Sequence, residues 1–221
     1  MRVVMLGTGT DVGKTYATAC LARGLRERGV ESLIALKPLE SGVEPGLAGD
    51  AGTIAAAAGH DALLSPWRFR AAVSPHLAAR EQGVVLDVGA IAAWVAEQEQ
   101  RARPRISLVE LAGGAFSPLG VGVTNVDLAR ALEPALWLLV APDALGVLHD
   151  LGATLRALPR APDAVLLSAA RAPDQSSGSN AAELAGLGIS EVVEVLAAGV
   201  QSSRAAVEWL LDHPSYKSTK K

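Results

Sequence analysis

The chain has 221 residues, half of them hydrophobic and only 4% aromatic, with 20 Lys and Arg set against 23 Asp and Glu for a net charge of -3. That length and an Ala-, Leu- and Val-rich composition allow a sizeable core and suit helices packed closely on a parallel sheet. A slightly acidic balance without a long basic run argues against nucleic acid as the main partner, and no apolar run is long enough to cross a bilayer or to serve as a signal segment, so the expectation is a soluble, cytoplasmic protein.

The first predicted strand, Arg2 to Leu6, is an apolar run typical of a buried parallel strand. It leads into Gly7-Thr8-Gly9-Thr10-Asp11-Val12-Gly13-Lys14-Thr15, after which Ala17, Leu21, Ala22 and Leu25 mark one face of a helix. Strand, glycine-rich loop and helix in this order make a phosphate cradle: backbone N–H groups face the phosphate, the lysine reaches the terminal phosphates and the final hydroxyl serves Mg²⁺. The loop departs from the common pattern at Thr8, which stands where the first glycine is expected. The alternative, a turn with a surface lysine, fits the flanking strand and helix poorly. A nucleoside triphosphate is therefore the expected ligand. Cys20, the single cysteine, falls inside the first helix, has no intrachain partner for a disulfide and is expected in the core of a protein from a reducing compartment.

A second strand, Glu31 to Leu36, runs into Lys37-Pro38-Leu39-Glu40-Ser41-Gly42, where Pro38 stops the ladder and Lys37 is expected at the same edge as Lys14. Asp50 precedes a possible helix over Ala51 to Ala58, so helix capping competes with metal binding for its role. Trp67-Arg68-Phe69-Arg70 reads as a hairpin edge or rim. Ser74-Pro75-His76 reads as a helix start, with serine as N-cap and proline as first helical residue. A helix over Asp87 to Arg101 follows, then a third strand, Ile106 to Leu111, which carries Glu110 into Ala112-Gly113-Gly114. Further helices are expected over Thr124 to Glu133, Leu145 to Leu158 and Ser202 to Leu211, and strands over Ala135 to Ala141, Ala164 to Ser168 and Glu191 to Val195, before a short basic tail, Lys217 to Lys221. The alternation predicts one α/β domain spanning residues 1–221, a doubly wound, mostly parallel sheet flanked by helices, of the P-loop NTPase type.

In such a sheet ligands gather beyond the carboxyl ends of the strands. A carboxylate buried at Glu110 needs a cation, either a neighbouring Lys or Arg or a metal ion. Magnesium takes hard oxygen ligands, so Thr15, Glu110 and then Asp50 are its candidate ligands. His60, His149 and His213 are scattered and the chain has no HExxH or CxxC, which argues against a transition-metal centre.

The segments GTGTDVGKT, KPLESG, SPH and ELAGGAFSPL, in this order and at these separations, resemble the dethiobiotin synthetase family over Met1 to about His149. The resemblance implies ring closure of 7,8-diaminopelargonic acid with CO2 and ATP through a carbamate and its phosphorylated form. It implies catalytic roles for Lys37, Lys14, Thr10 and Ser41, with Ser41 in the diamine and carbamate pocket. Nucleotide contacts fall to Gly9, Thr10, Asp11, Val12, Gly13, Lys14, Thr15, Glu110, Gly113 and Gly114, the amides of the last two meeting substrate and phosphate. Mg²⁺ would be held by Thr15, Asp50 and Glu110. A homodimer is also implied, with the substrate carboxylate held by a helix start at Gly146-Val147-Leu148-His149 of the partner. The chain departs from the family pattern at Gly9, where an acidic residue is usual, at Leu111, where glycine is usual, and at His149, where asparagine is usual. Leu167-Ser168-Ala169-Ala170 also lacks the base-reading asparagine that commonly follows the fifth strand. Two competing readings remain open: a related P-loop amidoligase with another substrate, and a nucleotide-dependent switch ATPase, against which the lack of a lysine early in the loop counts.

Overall fold

The computed structural model describes residues 1–189 and 192–218. In chain order the elements are β1 (Arg2–Gly7), α1 (Lys14–Glu27), β2 (Leu33–Leu36), β3 (Glu40–Ser41), α2 (Gly49–Ala58), β4 (Arg68–Phe69), α3 (Pro75–Glu81), α4 (Val88–Ala102), β5 (Ile106–Glu110), β6 (Pro118–Gly120), β7 (Val123–Thr124), α5 (Asn125–Ala131), β8 (Leu136–Asp143), α6 (Val147–Ala157), β9 (Ala164–Ala169), α7 (Asn180–Gly186), β10 (Val192–Leu196), α8 (Ala205–Asp212) and α9 (Pro214–Lys217). The expected strand start at Glu191 and the last three residues of the basic tail lie outside the described residues.

Six strands form one sheet in the order β10-β9-β8-β1-β5-β2, and every pairing in it is parallel. β1 lies between β5 and β8, with Met5 opposite both Glu110 and Leu138. Both faces are covered. Val4, Leu6, Val109, Trp137 and Leu139 pack on one side with α4 to α6, while Val3, Met5, Leu108 and Leu138 pack on the other with α1, α2 and α8. Burial on two sides is why these strands read as continuous apolar runs instead of alternating ones. The order reverses at β1, between β5 and β8, and a crevice opens there at the carboxyl edge of the sheet.

Local expectations are corrected in four places. α2 begins at Gly49, so Asp50 stands inside its first turn and is not the cap. Ser74 takes the N-cap position and Pro75 the first helical position of α3 as expected, but the serine hydroxyl lies 3.2 Å from His76 Nδ1 and makes no capping bond to the backbone. The Trp67 to Arg70 segment is not a hairpin edge: β4 pairs in parallel with β3, Glu40 opposite Arg68 and Ser41 opposite Phe69. α7 arises in a stretch where no helix was named, and Asp143 accepts hydrogen bonds from Gly178 N and Asn180 Nδ2, both at 2.7 Å, at the start of that helix. No helix among the described residues is long and apolar enough to cross a membrane.

Candidate active site at the carboxyl edge of the sheet

β1 delivers the chain to the sheet edge, and α1 starts again at Lys14 immediately behind Gly13. Gly13 has φ of +90°, and a Cβ there would lie 2.1 Å from Ser168 Oγ at the end of β9. Only glycine serves at this turn, since both the left-handed backbone and the close approach of β9 exclude a side chain. Lys14 folds back so that its ammonium donates to the Gly9 carbonyl at 2.9 Å. Burial drives its pKa down from 10.5 to about 8, against the opposing pull of Glu110 and with the help of Lys37. A buried ammonium of this kind suits a negatively charged ligand.

At the neighbouring strand ends, Glu110 closes β5 with no exposed surface, and Lys37 follows β2 with 6% exposed. The Glu110 Oε1 atom accepts from Lys37 Nζ at 2.8 Å and from Thr15 Oγ1 at 2.7 Å. Lys37 also donates to Asp50 Oδ2. Burial pushes the Lys37 pKa down, but Glu110 and then Asp50 outweigh it and hold the ammonium above its ordinary value. For Asp50 the balance has the opposite sign: burial raises its pKa, and the charge and hydrogen bond of Lys37 bring it below the usual carboxylate range. Glu110 is thus ion-paired, and yet its Oε2 is buried with no hydrogen-bond partner among the described residues. An unpaired carboxylate oxygen beside a threonine hydroxyl and a second carboxylate is a hard donor set, suited to a divalent cation that also takes phosphate and water oxygens. No three His, Cys, Asp or Glu side chains gather into a metal site among the described residues. Such a cation would depend on the nucleotide for its remaining ligands.

These groups line a cavity of about 590 Å³. Of the residues singled out in the sequence, Thr10, Asp11, Gly13, Lys14, Thr15, Lys37, Ser41, Asp50, Glu110 and Gly113 are on its wall. Gly9, Val12 and Gly114 are not. Val12 is packed in the core, and Gly9 contributes its carbonyl to Lys14. The expected free amide at Gly114 is corrected: its N–H donates to Ser117 Oγ at 2.8 Å. Gly114 matters by proximity instead, since a Cβ on it would sit 3.0 Å from Gly9 Cα. Ser41 donates its hydroxyl to Val73 O at 2.7 Å. Gly146 has φ of +98° and starts α6 away from this wall.

Several wall and supporting residues escaped the sequence reading. Glu40 borders the cavity although it is only 3% exposed. Tyr16, Arg171, Ala198 and Gly199 also line it, with Ser168 to Ala170 of the segment that lacks the asparagine, and Arg171 pairs with Asp11 at 3.2 Å. Buried Asn125 donates to the carbonyls of Ala112, at 2.5 Å, and Gly114, at 2.9 Å, and so holds the loop after β5. Its position at the first residue of a helix gave no sign of this, because its partners lie eleven and thirteen residues earlier.

The comparisons with known proteins agree with this geometry. Residues 1–199 match the family described as AAA domain. The ATP-dependent dethiobiotin synthetase BioD of Rhodococcus jostii (strain RHA1) is 40% identical over 159 residues, covering 71% of this chain and 67% of that protein. That of Rhodopirellula baltica is 39% identical over 174 residues, covering 68% of this chain and 64% of the relative, just under two thirds of its length. The match to the enzyme of Anaeromyxobacter sp. (strain Fw109-5) is broader, 38% identity over 81% of this chain and 82% of the relative. Among solved structures, chloroplast FtsY from Physcomitrella patens superposes with a TM-score of 0.57 at 15% identity, over 93% of this chain and 63% of that one. The signal recognition particle 54 kDa protein from Aeropyrum pernix K1, in complex with GDP, gives 0.56 at 15% over 98% and 47%. Those two share the fold alone. With a phosphate loop, a lysine after β2 and a buried glutamate at the end of β5 meeting in one cavity, and with relatives at this level of identity, the chain belongs to the ATP-dependent dethiobiotin synthetase family.

Proposed function

We propose that this chain converts 7,8-diaminopelargonic acid, CO2 and ATP into dethiobiotin, ADP and phosphate, a step of biotin biosynthesis. The observation that carries this reading is Lys37, a buried ammonium aimed into the same cavity as the phosphate-loop lysine. One amine of the substrate adds to CO2 and loses a proton, giving a carbamate. A carbamate oxygen attacks the γ-phosphorus and ADP leaves. The second amine then attacks the carbamoyl carbon, closing the urea ring and expelling phosphate.

The side chains divide this work. Lys14 holds the terminal phosphates, and Lys37 stabilises the carbamate and the phosphoryl group as their negative charges approach. Two lysines answer an accumulation of charge that one would leave largely unneutralised. Thr10 lines the phosphate loop and Ser41 the diamine end of the cavity, where positioning of two reacting groups lowers the entropic barrier. Thr15, Asp50 and Glu110 would hold Mg²⁺, which when bound withdraws charge from the phosphate oxygens. Gly113 lines the same space, where its amide would meet substrate and phosphate.

We further read residues 1–221 as one domain, since both core clusters share the single six-stranded sheet. A cytoplasmic protein is supported by the buried free thiol of Cys20. A homodimer is supported by apolar side chains left in solvent near α6 and α3, Leu145 at 83%, Val85 at 88% and the fully exposed Val121. In it the start of α6 would serve the partner's diamine site.

The test is an omission series. The purified protein is incubated with ATP, Mg²⁺, bicarbonate and diaminopelargonate, and mass spectrometry should detect the cyclic urea only when all four are present. Phosphate release that ignores the diamine would favour a switch ATPase, and no reaction with this diamine would favour another ligase substrate.

A further inference from the structure

One buried charge beside the cavity has no part in the chemistry above. Glu40 leaves β3 almost wholly enclosed, and both of its carboxylate oxygens are engaged. Its Oε1 accepts the backbone N–H of Asp50 at 2.6 Å. Its Oε2 accepts from Arg68 Nε at 3.3 Å, across the β3–β4 pair. Arg68 in turn donates through Nη2 to the Leu47 carbonyl at 2.6 Å, gripping the loop that leads into α2. Gly49, between these contacts, has φ of +61°, and a Cβ there would lie 2.5 Å from Glu40 Oε1. The missing atom lets the carboxylate reach the first turn of α2, where Ala48 offers no side chain to cap it.

We propose that Glu40, locked by Arg68, is a positioning residue: it caps α2 from outside the helix and thereby fixes the direction in which the Asp50 carboxylate meets Lys37. The physical reason is a division of labour. A helix N-terminus favours an anion, and a lone Asp in the first turn can fold back onto the free N–H groups. With Glu40 already occupying that N–H, the Asp50 side chain is released from capping and stays on Lys37. The two ion pairs are in series: Arg68 holds Glu40, Glu40 holds the backbone of Asp50, and Asp50 holds Lys37 opposite Glu110. This role rests on the proposed dethiobiotin reaction only for its kinetic consequence.

The test compares Glu40→Ala, Glu40→Gln and Arg68→Ala in the full chain, by steady-state kinetics and by amide hydrogen exchange. Glu40→Ala and Arg68→Ala should lower kcat about tenfold or more while KM for ATP changes less than about threefold, since the phosphate loop is untouched. Glu40→Gln, whose amide oxygen still accepts the Asp50 N–H while its NH2 meets the Arg68 donor, should recover only part of the loss in kcat but restore slow exchange at residues 50–53. Exchange at the amides of residues 50–53 should quicken by about tenfold or more in Glu40→Ala, with α1 unchanged. In an Asp50→Asn background, Glu40→Ala should cost less than about twofold further, because both changes break one chain of contacts. Undiminished kcat with unchanged exchange, or full additivity with Asp50→Asn, would overturn the role. Should the parent protein make no dethiobiotin, the enzymatic reading fails, while the exchange comparison still decides the clamp: quickening supports it and no change defeats it.

Discussion

Lys37 sits where two carboxylates meet, and its removal separates binding from chemistry. Lys37→Ala should reduce kcat by about a hundredfold or more, the scale of a lost transition-state donor, while nucleotide affinity changes little. Near-normal turnover of the purified variant would remove Lys37 from the mechanism. Lys14 makes a different kind of prediction, through protons. Its folded pKa of about 8 lies below the ordinary 10.5, so between those values the unfolded chain holds more protons and the contribution of this group to stability rises with pH. Triphosphate bound at Lys14 would restore the proton. Binding of a non-hydrolysable ATP analogue should then take up protons above pH 8, and its affinity should fall with pH by at most about tenfold per unit. Calorimetry at pH 8.5 in two buffers of different ionisation enthalpy measures the uptake directly, and identical heats in both would contradict it.

At the scale of elements, the site is held by the segments that follow β2 and β5. Asn125, at the start of α5, bonds two buried carbonyls of the loop after β5, and no other side chain is placed to replace it among the hydrogen bonds of the described residues. The Gly114 carbonyl also accepts the Ser117 N–H at 3.0 Å, so Asn125→Ala strips the Ala112 carbonyl of its partner and should destabilise the protein by about 1–3 kcal/mol, the cost of a buried group left unpaired. Urea unfolding measures this, and a loss below about 0.5 kcal/mol, typical of a surface change, would show that the loop is held by other means. The main strands and helices were legible in the sequence because apolar runs and helical periodicity are local properties. The β3–β4 pair was not, since its strands are two residues each and its partners lie 28 residues apart. α7 escaped for a similar reason, its start being secured by Asp143 from a distant strand.

For the whole molecule the decisive question is whether the site is completed by a second copy. If the start of α6 serves the neighbouring subunit, an inactive Lys37→Ala chain and a chain inactivated at that helix start by Gly146→Val should complement each other when refolded together. Random assortment gives half heterodimers, each with one site free of both changes, and so on the order of a quarter of the parental activity under twofold symmetry. Activity no greater than that of the separate variants would place the whole site in one chain. Sedimentation of the parent protein at twice 22.7 kDa is the accompanying expectation.

The amino-acid sequence alone determined the α/β class, the phosphate loop and the identity of most charged groups on the cavity wall, because each depends on neighbours within a few residues. Lys14, Lys37, Asp50 and Glu110 were all named from their places at the ends of predicted elements. Tertiary structure decided what those groups touch. Asp50 is a partner of Lys37 and not a helix cap because α2 begins one residue before it, and its N–H is held by Glu40, ten residues earlier. Gly114 lost its free amide to Ser117, and Asn125 gained a role through carbonyls on a preceding loop. The physical reason is common to all three: a buried polar group must find a partner, and the fold, not the local sequence, chooses which one is within reach.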